Sequence, residues 1–467
     1  MRAIMRKRTT LWLLRKGWPW PGAALLAAAV IAVTCPGNVS GSEESTQPAA
    51  PSSGMVTMVP LDYQETSYQF LFRNIPVEGR PASFPKEPAL ASGHVVRGVL
   101  KFGDNPSNAI PFVWQPGTQK LFLDLNRNQD LTDDANGVFY GSLTGPRIPT
   151  VYHQVFTNIH LSFPATSAGA PMLVDFDFFQ YGESGRPLVN VMARSFWQGK
   201  VTVAGHDWQV GLVQNLSGQP GSFARGQLLL RPWEERNKWF NASSEKPEDT
   251  LAIPWVEKNQ VVRASDAFAF SPGVFFEGHA WQLDWSAEPR GREEKLALRL
   301  TEQQTALGEL RITGSFIQRL VLTGGPYVVV LAQPPASVKV PPGRYHPYRV
   351  WLKQGEAEAY FNFGLPQTGK ANVIEEITGS QLPVVSPPPP EQAVVVDEQR
   401  PAVLAVGGPL TNCASATRRG RNLLLSYRLI GAGGGKYRLA GGGDGKPPQF
   451  TVGKSGKRIG SGQFEFG

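Results

Sequence analysis

Short runs of alternating apolar and polar residues recur along most of the chain, and clusters of turn-forming residues separate them. A two-residue alternation is the period of a half-buried β-strand, because successive side chains of a strand point to opposite faces of the sheet. The runs with this pattern are 94–102, 159–163, 201–203, 208–213, 227–230, 296–300, 328–331, 348–352, 423–429 and 463–466. The pattern predicts an all-β protein.

Two stretches, 287–307 and 371–380, have a composition that also suits a helix. In the first, Leu296, Leu298 and Leu300 occupy every second position, which favours a strand. Glycine (50 residues) and proline (40 residues) interrupt the chain so often that long amphipathic helices have no room. Many short strands between turns are typical of β-sandwich or barrel modules.

Two segments echo each other, His206-Asp207-Trp208-Gln209-Val210 and His279-Ala280-Trp281-Gln282-Leu283. Each is predicted to be the second arm of a β-hairpin; in the first copy, a strand-like run enters a short turn at Gly205. The recurring His and Trp could form a platform for carbohydrate. Aromatic packing between neighbouring strands is the favoured interpretation.

Four consecutive prolines at 387–390 mark the clearest boundary, since such a run is a stiff, extended spacer. The segment 42–54 is rich in Ser, Pro and Glu, which suggests a disordered tether. The predicted organisation is a signal peptide (1–41), the tether (42–54), a β domain (55–198), a β-sandwich-like domain (199–380), a Pro-rich linker (381–393) and a small C-terminal β module (394–467).

The first 41 residues have the pattern of a secretory signal peptide: six basic residues, an apolar stretch at 22–33, then small and polar residues. The apolar stretch is too short to span a membrane comfortably, which favours cleavage, near Gly41, over anchoring. Lipid attachment at Cys35 is disfavoured, because Thr34 and Ala32 stand where a bacterial lipoprotein signal prefers other residues. The sequence predicts a secreted or periplasmic protein without a transmembrane span in its mature form.

Charge and cysteine content exclude several classes of function. Removal of the six basic residues of the leader lowers the formal net charge from +8 to +2. No stretch of the remaining chain combines dense Lys and Arg with interleaved aromatic residues, so nucleic acid is not an expected partner. Cys35 and Cys413 are the only cysteines, which rules out a framework of disulfides.

Oxygen-bearing side chains occupy alternate positions of one short segment, as calcium requires. Calcium takes six to eight oxygen ligands, and a chain that curls around the ion presents every second side chain to it. The candidate ligands are Asp124, Asn126, Asn128, Asp130, Asp133 and Asp134.

Over about a dozen residues this segment resembles the calcium loop of the EF-hand family, with Asp124, Asn126, Asn128 and Asp130 at its first, third, fifth and seventh positions. Gln129 and Ala135 depart from the family's sixth-position Gly and twelfth-position Glu, and Asp133 or Asp134 could replace the latter. A strand-like run precedes the loop, where the family has a helix. The alternative interpretation is a hairpin turn rich in Asp and Asn with solvated carboxylates.

The usual catalytic patterns are missing from the sequence. It contains neither a Gly-x-Ser-x-Gly elbow nor a His-Glu-x-x-His zinc pattern, and Ala371 replaces the hydroxyl residue of a phosphate loop at 364–370. Asp175 and Asp177 lie on one face of a predicted strand, at a separation near that of glycosidase acid pairs. Such pairs are also common on solvated strands, so the protein is predicted not to be an enzyme.

The sequence therefore predicts an exported calcium-binding β protein with a structural or binding role at the cell envelope. The calcium ion is its expected cofactor, and a cell-surface glycan or protein is its candidate partner. The alternative is a carbohydrate-active enzyme or carbohydrate-binding protein of the envelope that has no recognisable motif.

Overall fold

The computed structural model of the protein describes residues 54–67, 69–70, 72–79, 81–143, 151–163, 171–216, 220, 222–237, 267–290, 293–362, 393–419, 422–439, 449–454 and 457–463. The predicted signal peptide, the tether up to residue 53, the helix considered at 371–380 and the linker up to residue 392 lie outside these residues.

Thirty-two strands account for most of the described chain. The first sixteen are β1 Val56–Pro60, β2 Asp62–Glu65, β3 Phe72–Ile75, β4 Val77–Glu78, β5 Val96–Leu100, β6 Ile110–Gln115, β7 Lys120–Leu123, β8 Val138–Tyr140, β9 Ser142–Leu143, β10 Val151–Leu161, β11 Met172–Tyr181, β12 Leu188–Ala193, β13 Ser195–Val203, β14 His206–Val213, β15 Gln227–Pro232 and β16 Phe268–Ala269.

The other sixteen are β17 Gly273–Phe276, β18 His279–Arg290, β19 Glu293–Gln303, β20 Gly308–Ile312, β21 Ile317–Thr323, β22 Val328–Ala332, β23 Ser337–Val340, β24 Gly343–Gln354, β25 Ala357–Asn362, β26 Val394–Val396, β27 Ala402–Leu404, β28 Thr411–Arg419, β29 Asn422–Ile430, β30 Lys436–Leu439, β31 Gln449–Lys454 and β32 Lys457–Gln463. Single 3-10 turns occur at Pro106–Asn108, Pro116–Thr118, Trp233–Glu235 and Ala432–Gly434.

The all-β prediction is confirmed. Nine of the ten alternating runs fall on strands, and the tenth coincides with a strand only at Gln463, since residues 464–466 lie outside the described chain. The doubtful stretch around Leu298 is the strand β19, in which Leu296, Leu298 and Leu300 point into a core. Within the described residues, no helix has the length and apolar character needed to cross a bilayer.

Two five-stranded sheets enclose the first hydrophobic core. One has the order β4-β5-β6-β7-β8 and the other β3-β12-β11-β10-β9. Phe112 and Trp114 from β6 pack against Phe178 from β11, with ring centroids 5.2 and 5.4 Å from that ring. Burial of these large aromatic side chains stabilises the body of the protein on which the 124–134 loop is built.

A third five-stranded sheet, in the order β16-β15-β14-β13-β2, is buried on both faces. Phe196, Val213 and Leu229 pack into the first core from one face. Val201 and Trp208 pack into the second core from the other face. The strand β13 therefore runs through the predicted boundary between residues 198 and 199 and contributes to both cores.

A twelve-stranded sheet forms the other wall of the second core. Its path is β1-β19-β18-β17-β22-β21-β24-β25-β30-β29-β28, and β26 also pairs with β24. Its opposite face packs on the third core, beneath the small sheet β23-β20-β27. Residues 394–439, assigned from the sequence to a C-terminal module, extend these sheets through the pairs β26–β24, β27–β20 and β30–β25.

The two echoing segments are second arms of hairpins, as predicted. Two-residue turns join β13 to β14 and β17 to β18, with φ of +50° at Ala204, +85° at Gly205, +51° at Glu277 and +81° at Gly278. Positive φ at both central residues is the turn geometry that matches the twist of paired strands. The hairpins meet where Glu277 accepts a 3.1 Å hydrogen bond from the indole of Trp208.

Candidate metal-binding loop

The 124–134 loop follows the buried strand β7 and leads back to its antiparallel neighbour β8, so strands flank it on both sides. Leu121 and Leu123 anchor β7 in the first core. The N–H of Asp124 donates to the carbonyl of Pro111 at 3.0 Å, which ties the start of the loop to β6. The first candidate ligand is therefore held by the sheet itself.

Asp124 is fully buried, at 0% exposure. One carboxylate oxygen accepts from the N–H of Asn128 at 3.1 Å and the other from the N–H of Gln129 at 2.7 Å. The chain curls around the carboxylate because Arg127 and Gln129 both adopt left-handed backbone angles, with φ of +64° and +65°. Among the described residues, no cation lies within ion-pair distance of Asp124.

Asn126, Asn128 and Asp133 are in direct contact. The side-chain amides of Asn126 and Asn128 donate to the two carboxylate oxygens of Asp133, at 3.0 and 2.7 Å. The carbonyl oxygens of the same amides accept from the N–H groups of Asn128 and Asp130, at 3.0 and 2.7 Å. Three predicted ligands are thus brought together by hydrogen bonds within the loop.

Asp134 closes the loop by accepting from the N–H groups of Leu125 and Asn126, at 3.1 and 3.2 Å. Burial raises the pKa of Asp134 above its ordinary value, and the negative charges of Asp124 and Asp133 raise that pKa further, while the two hydrogen bonds oppose the shift. Like charges in this loop therefore repel one another.

Asp130 differs from the other ligands, because a lysine from outside the loop binds it. Lys86 donates to one carboxylate oxygen at 2.7 Å, and the N–H and hydroxyl of Thr132 donate to the other at 3.0 and 2.5 Å. Hydrogen bonds from Lys86 and Thr132 lower the pKa of Asp130 to about 2. Its charge already has a partner.

Arg127 lies next to the loop acids but is bound elsewhere. Its guanidinium donates to the carbonyls of Leu125 at 2.9 Å and Ser162 at 2.6 Å, and it stacks 5.0 Å from the ring centroid of Phe163. Burial lowers the pKa of Arg127, and its Coulomb interactions with Asp124 and Asp134 oppose that shift. Its charge acts on these carboxylates without a hydrogen bond to either.

The structure thus joins Asn126, Asn128 and Asp133 directly, and it holds Asp124 and Asp134 through backbone amides. Asp130 is turned toward Lys86. Nowhere in the part of the chain that the structure describes are three or more His, Cys, Asp or Glu side chains grouped so that they could hold an ion. Calcium binding therefore stays a prediction.

The contact between Lys86 and Asp130 was not predicted from the sequence, since no local pattern connects two residues that are 44 positions apart.

The acid pair on β11 has a different environment. Arg194 donates to both oxygens of Asp175, at 3.1 and 3.2 Å, and Gln69 donates to one of them at 2.7 Å. Asp177 forms a close hydrogen bond with the imidazole of His153. Each carboxylate therefore has its own partner from the protein.

Comparison with known proteins found no match. No protein-family model, no curated protein and no solved structure matches this chain. Functional inference therefore depends on the chemistry of the described residues.

Proposed function

We propose that this protein is an exported β protein of the cell envelope in which the 124–134 loop binds Ca²⁺ as a structural ion. The observation that carries the proposal is the buried carboxylate of Asp124, which has only backbone N–H groups as hydrogen-bond partners among the described residues. Buried charges in proteins are normally paired or coordinate a metal, because transfer of an isolated carboxylate from water to the interior is very costly.

The charge balance of the loop supports a cation rather than a neutral ligand. Burial is the main cause of the raised pKa of Asp134, and the negative charges of Asp124 and Asp133 raise it further, so these two carboxylates repel Asp134. Calcium prefers the carboxylate and amide oxygens that these residues and the two asparagines carry. Binding would exchange the amide hydrogen bonds to Asp133 for contacts between oxygens and the ion.

The role of the ion would be structural, because the loop connects two strands of the sheet that covers the first core. An ion that binds only the folded state adds stability by mass action. Weak sites, with dissociation constants of roughly 10⁻⁴ to 10⁻³ M, are typical of extracellular calcium modules. An imperfect ligand set is therefore compatible with an exported protein.

Isothermal titration with CaCl₂ after treatment with EDTA tests the site. We expect one ion per chain in the parent protein and no measurable binding in Asp124→Asn. Asp284→Asn is the matched control, because Asp284 is exposed and pairs with Arg299 outside the loop. The absence of binding heat in the parent, together with an unfolding temperature that calcium does not change, would refute the proposal.

Export is tested separately by expressing the full chain in a bacterial host and fractionating the cells. We expect a shortened protein in the periplasm or medium whose N-terminus lies near residue 42. A protein that retains Met1 and stays in the cytoplasm would contradict export without bearing on the calcium loop.

A further inference from the structure

A cavity of about 320 Å³ opens on the surface where the end of β20, the start of β21 and the 333–336 segment meet. Its polar lining residues are Ser315, Gln318, Gln333 and Lys353, and Phe316 provides an aromatic side chain. None of its eleven lining residues is acidic. The cavity is far in sequence from the 124–134 loop and is formed by other strands.

Phe316 is exposed and has an unfavourable backbone conformation. The residue is 44% exposed, and its backbone φ is +62°. Bulky residues rarely adopt positive φ, because the left-handed conformation brings Cβ too close to the backbone. The carbonyl of Phe316 accepts from the N–H of Lys353 at 2.9 Å, which holds this conformation in place. Strained residues of this kind concentrate at ligand-binding sites.

The ring of Phe316 rests on a glycine from a distant part of the chain. A Cβ atom at Gly408 would lie 2.8 Å from Cδ2 of Phe316, so only glycine leaves room for the ring. Ser315 and Gly408 exchange two backbone hydrogen bonds, of 3.0 and 2.8 Å, which fix this contact. Phe316 is therefore exposed and also held in position by its contact with Gly408.

The polar side of the cavity is ordered in the same way. Gln333 has a φ of +42°, and its N–H donates to the carbonyl of Gln318 at 2.9 Å. The side-chain amide of Gln318 donates to Glu235 at 3.3 Å. Two residues with positive φ thus line one cavity, and neither is a glycine.

We propose that this cavity binds a carbohydrate of one or two sugar rings, with Phe316 stacked against the C–H face of a ring. A flat aromatic face attracts polarised C–H groups, because the centre of an aromatic face is negative. Sugar hydroxyls both donate and accept, and the carboxamide of Gln333 and the hydroxyl of Ser315 supply both kinds of partner. The ammonium of Lys353, which lies 3.4 Å from a carboxylate oxygen of Glu358, supplies a further donor.

The size of the cavity supports a small ligand, since it lies near the lower end of the roughly 300 to 1,000 Å³ found for ligand pockets. Six of the eleven lining residues have apolar side chains and four have polar ones, and such a mixed lining suits the C–H faces and the hydroxyls of a sugar. This inference goes beyond the calcium-stabilised scaffold proposed above and does not depend on it.

The test is a glycan array of glucose, mannose, galactose and N-acetylglucosamine mono- and disaccharides, followed by isothermal titration with the disaccharide that gives the strongest signal. We expect Phe316→Ala to weaken binding by about tenfold or more. Tyr140→Ala is the matched control, because Tyr140 is an aromatic residue with 70% exposure outside the cavity. Its binding should equal that of the parent.

Phe316→Gly separates loss of the ring from loss of the fold. Both variants remove the ring, but only glycine accepts a φ of +62° without strain, so Phe316→Gly should unfold at a higher temperature than Phe316→Ala. Both should weaken binding by about tenfold or more. The proposal is overturned if no sugar on the array binds the parent protein, or if either variant binds the disaccharide with the parent's affinity.

Discussion

Two carboxylates of this protein are buried to nearly the same degree but have different partners. Asp175 on β11 is 1% exposed and Asp124 at the end of β7 is 0% exposed. Asp175 forms an ion pair with the guanidinium of Arg194, whereas Asp124 accepts hydrogen bonds only from the backbone N–H groups of the loop that follows it. A buried charge that the fold has already paired needs no ion, whereas the one held only by neutral donors is the one for which we propose an ion.

The largest effect is expected from removal of the partner of Asp175. Arg194→Met should lower the free energy of unfolding by about 3 to 5 kcal/mol, because it leaves a carboxylate buried without its ion pair. Urea denaturation measures this change. Arg299→Met is the control: Arg299 pairs with exposed Asp284, and its loss should cost less than about 1 kcal/mol. Equal effects of the two substitutions would contradict the assignment of Asp175 as a buried ion pair.

A second comparison neutralises each carboxylate in turn, in calcium-free buffer. Asp175→Asn should cost about 3 kcal/mol, since the part-buried guanidinium of Arg194 loses its counter-charge. Asp124→Asn should cost only about 1 kcal/mol, because it removes one of the two backbone hydrogen bonds to this side chain while relieving repulsion from neighbouring acids. The order should reverse in calcium at about one hundred times the dissociation constant, where the ion adds about 2.7 kcal/mol to the parent and to Asp175→Asn but not to Asp124→Asn. If Asp175→Asn were still the more destabilising substitution in calcium, the result would contradict calcium binding at Asp124.

A smaller effect is expected if Lys86 and calcium compete for the carboxylate of Asp130. Lys86→Met removes the ammonium group bound to Asp130, so calcium affinity should rise by about three- to fivefold, as expected for loss of an exposed ion pair. Titration calorimetry measures the change. Lys101→Met, which breaks the exposed pair with Glu78, should leave calcium affinity unchanged. An affinity in Lys86→Met that equals that of the parent would show that Asp130 takes no part in calcium binding.

The smallest effect is a dependence on acid pH. The folded-state pKa of Asp130 is about 2, below its ordinary value of 3.8, so its contribution to stability is present above pH 3.8. That contribution should be lost as the pH falls toward 2, because protonation ends the hydrogen bond from Lys86. In Lys86→Met, the calcium-free protein should show a shallower loss of stability over this window by thermal unfolding. An identical slope in the two proteins would exclude the lysine as the cause.

Alternation along the chain identified nine of the thirty-two described strands, because the period of two is a local property of each segment, but strands buried along their whole length, such as β6, do not show it. It correctly identified β19 as a strand, and the echoing sequences predicted both hairpins, since a two-residue turn with positive φ needs only adjacent residues. The pairing of strands is not local. Residues of β26, β27 and β30 extend sheets begun before the prolines at 387–390, and no spacing in the sequence specifies those partners.

The features of the 124–134 loop likewise fall into those that are visible in the sequence and those that depend on packing. The alternation of oxygen-bearing side chains between Asp124 and Asp134 can be read from the order of residues, because it depends only on side-chain chemistry and spacing. The ion pair of Lys86 with Asp130, the hydrogen bonds of Arg127 to carbonyls and the burial of Asp124 on β7 cannot. The contact of Gly408 with the ring of Phe316 cannot be read from it either. Such contacts depend on segments that are distant along the chain and that only the packing of the sheets brings together.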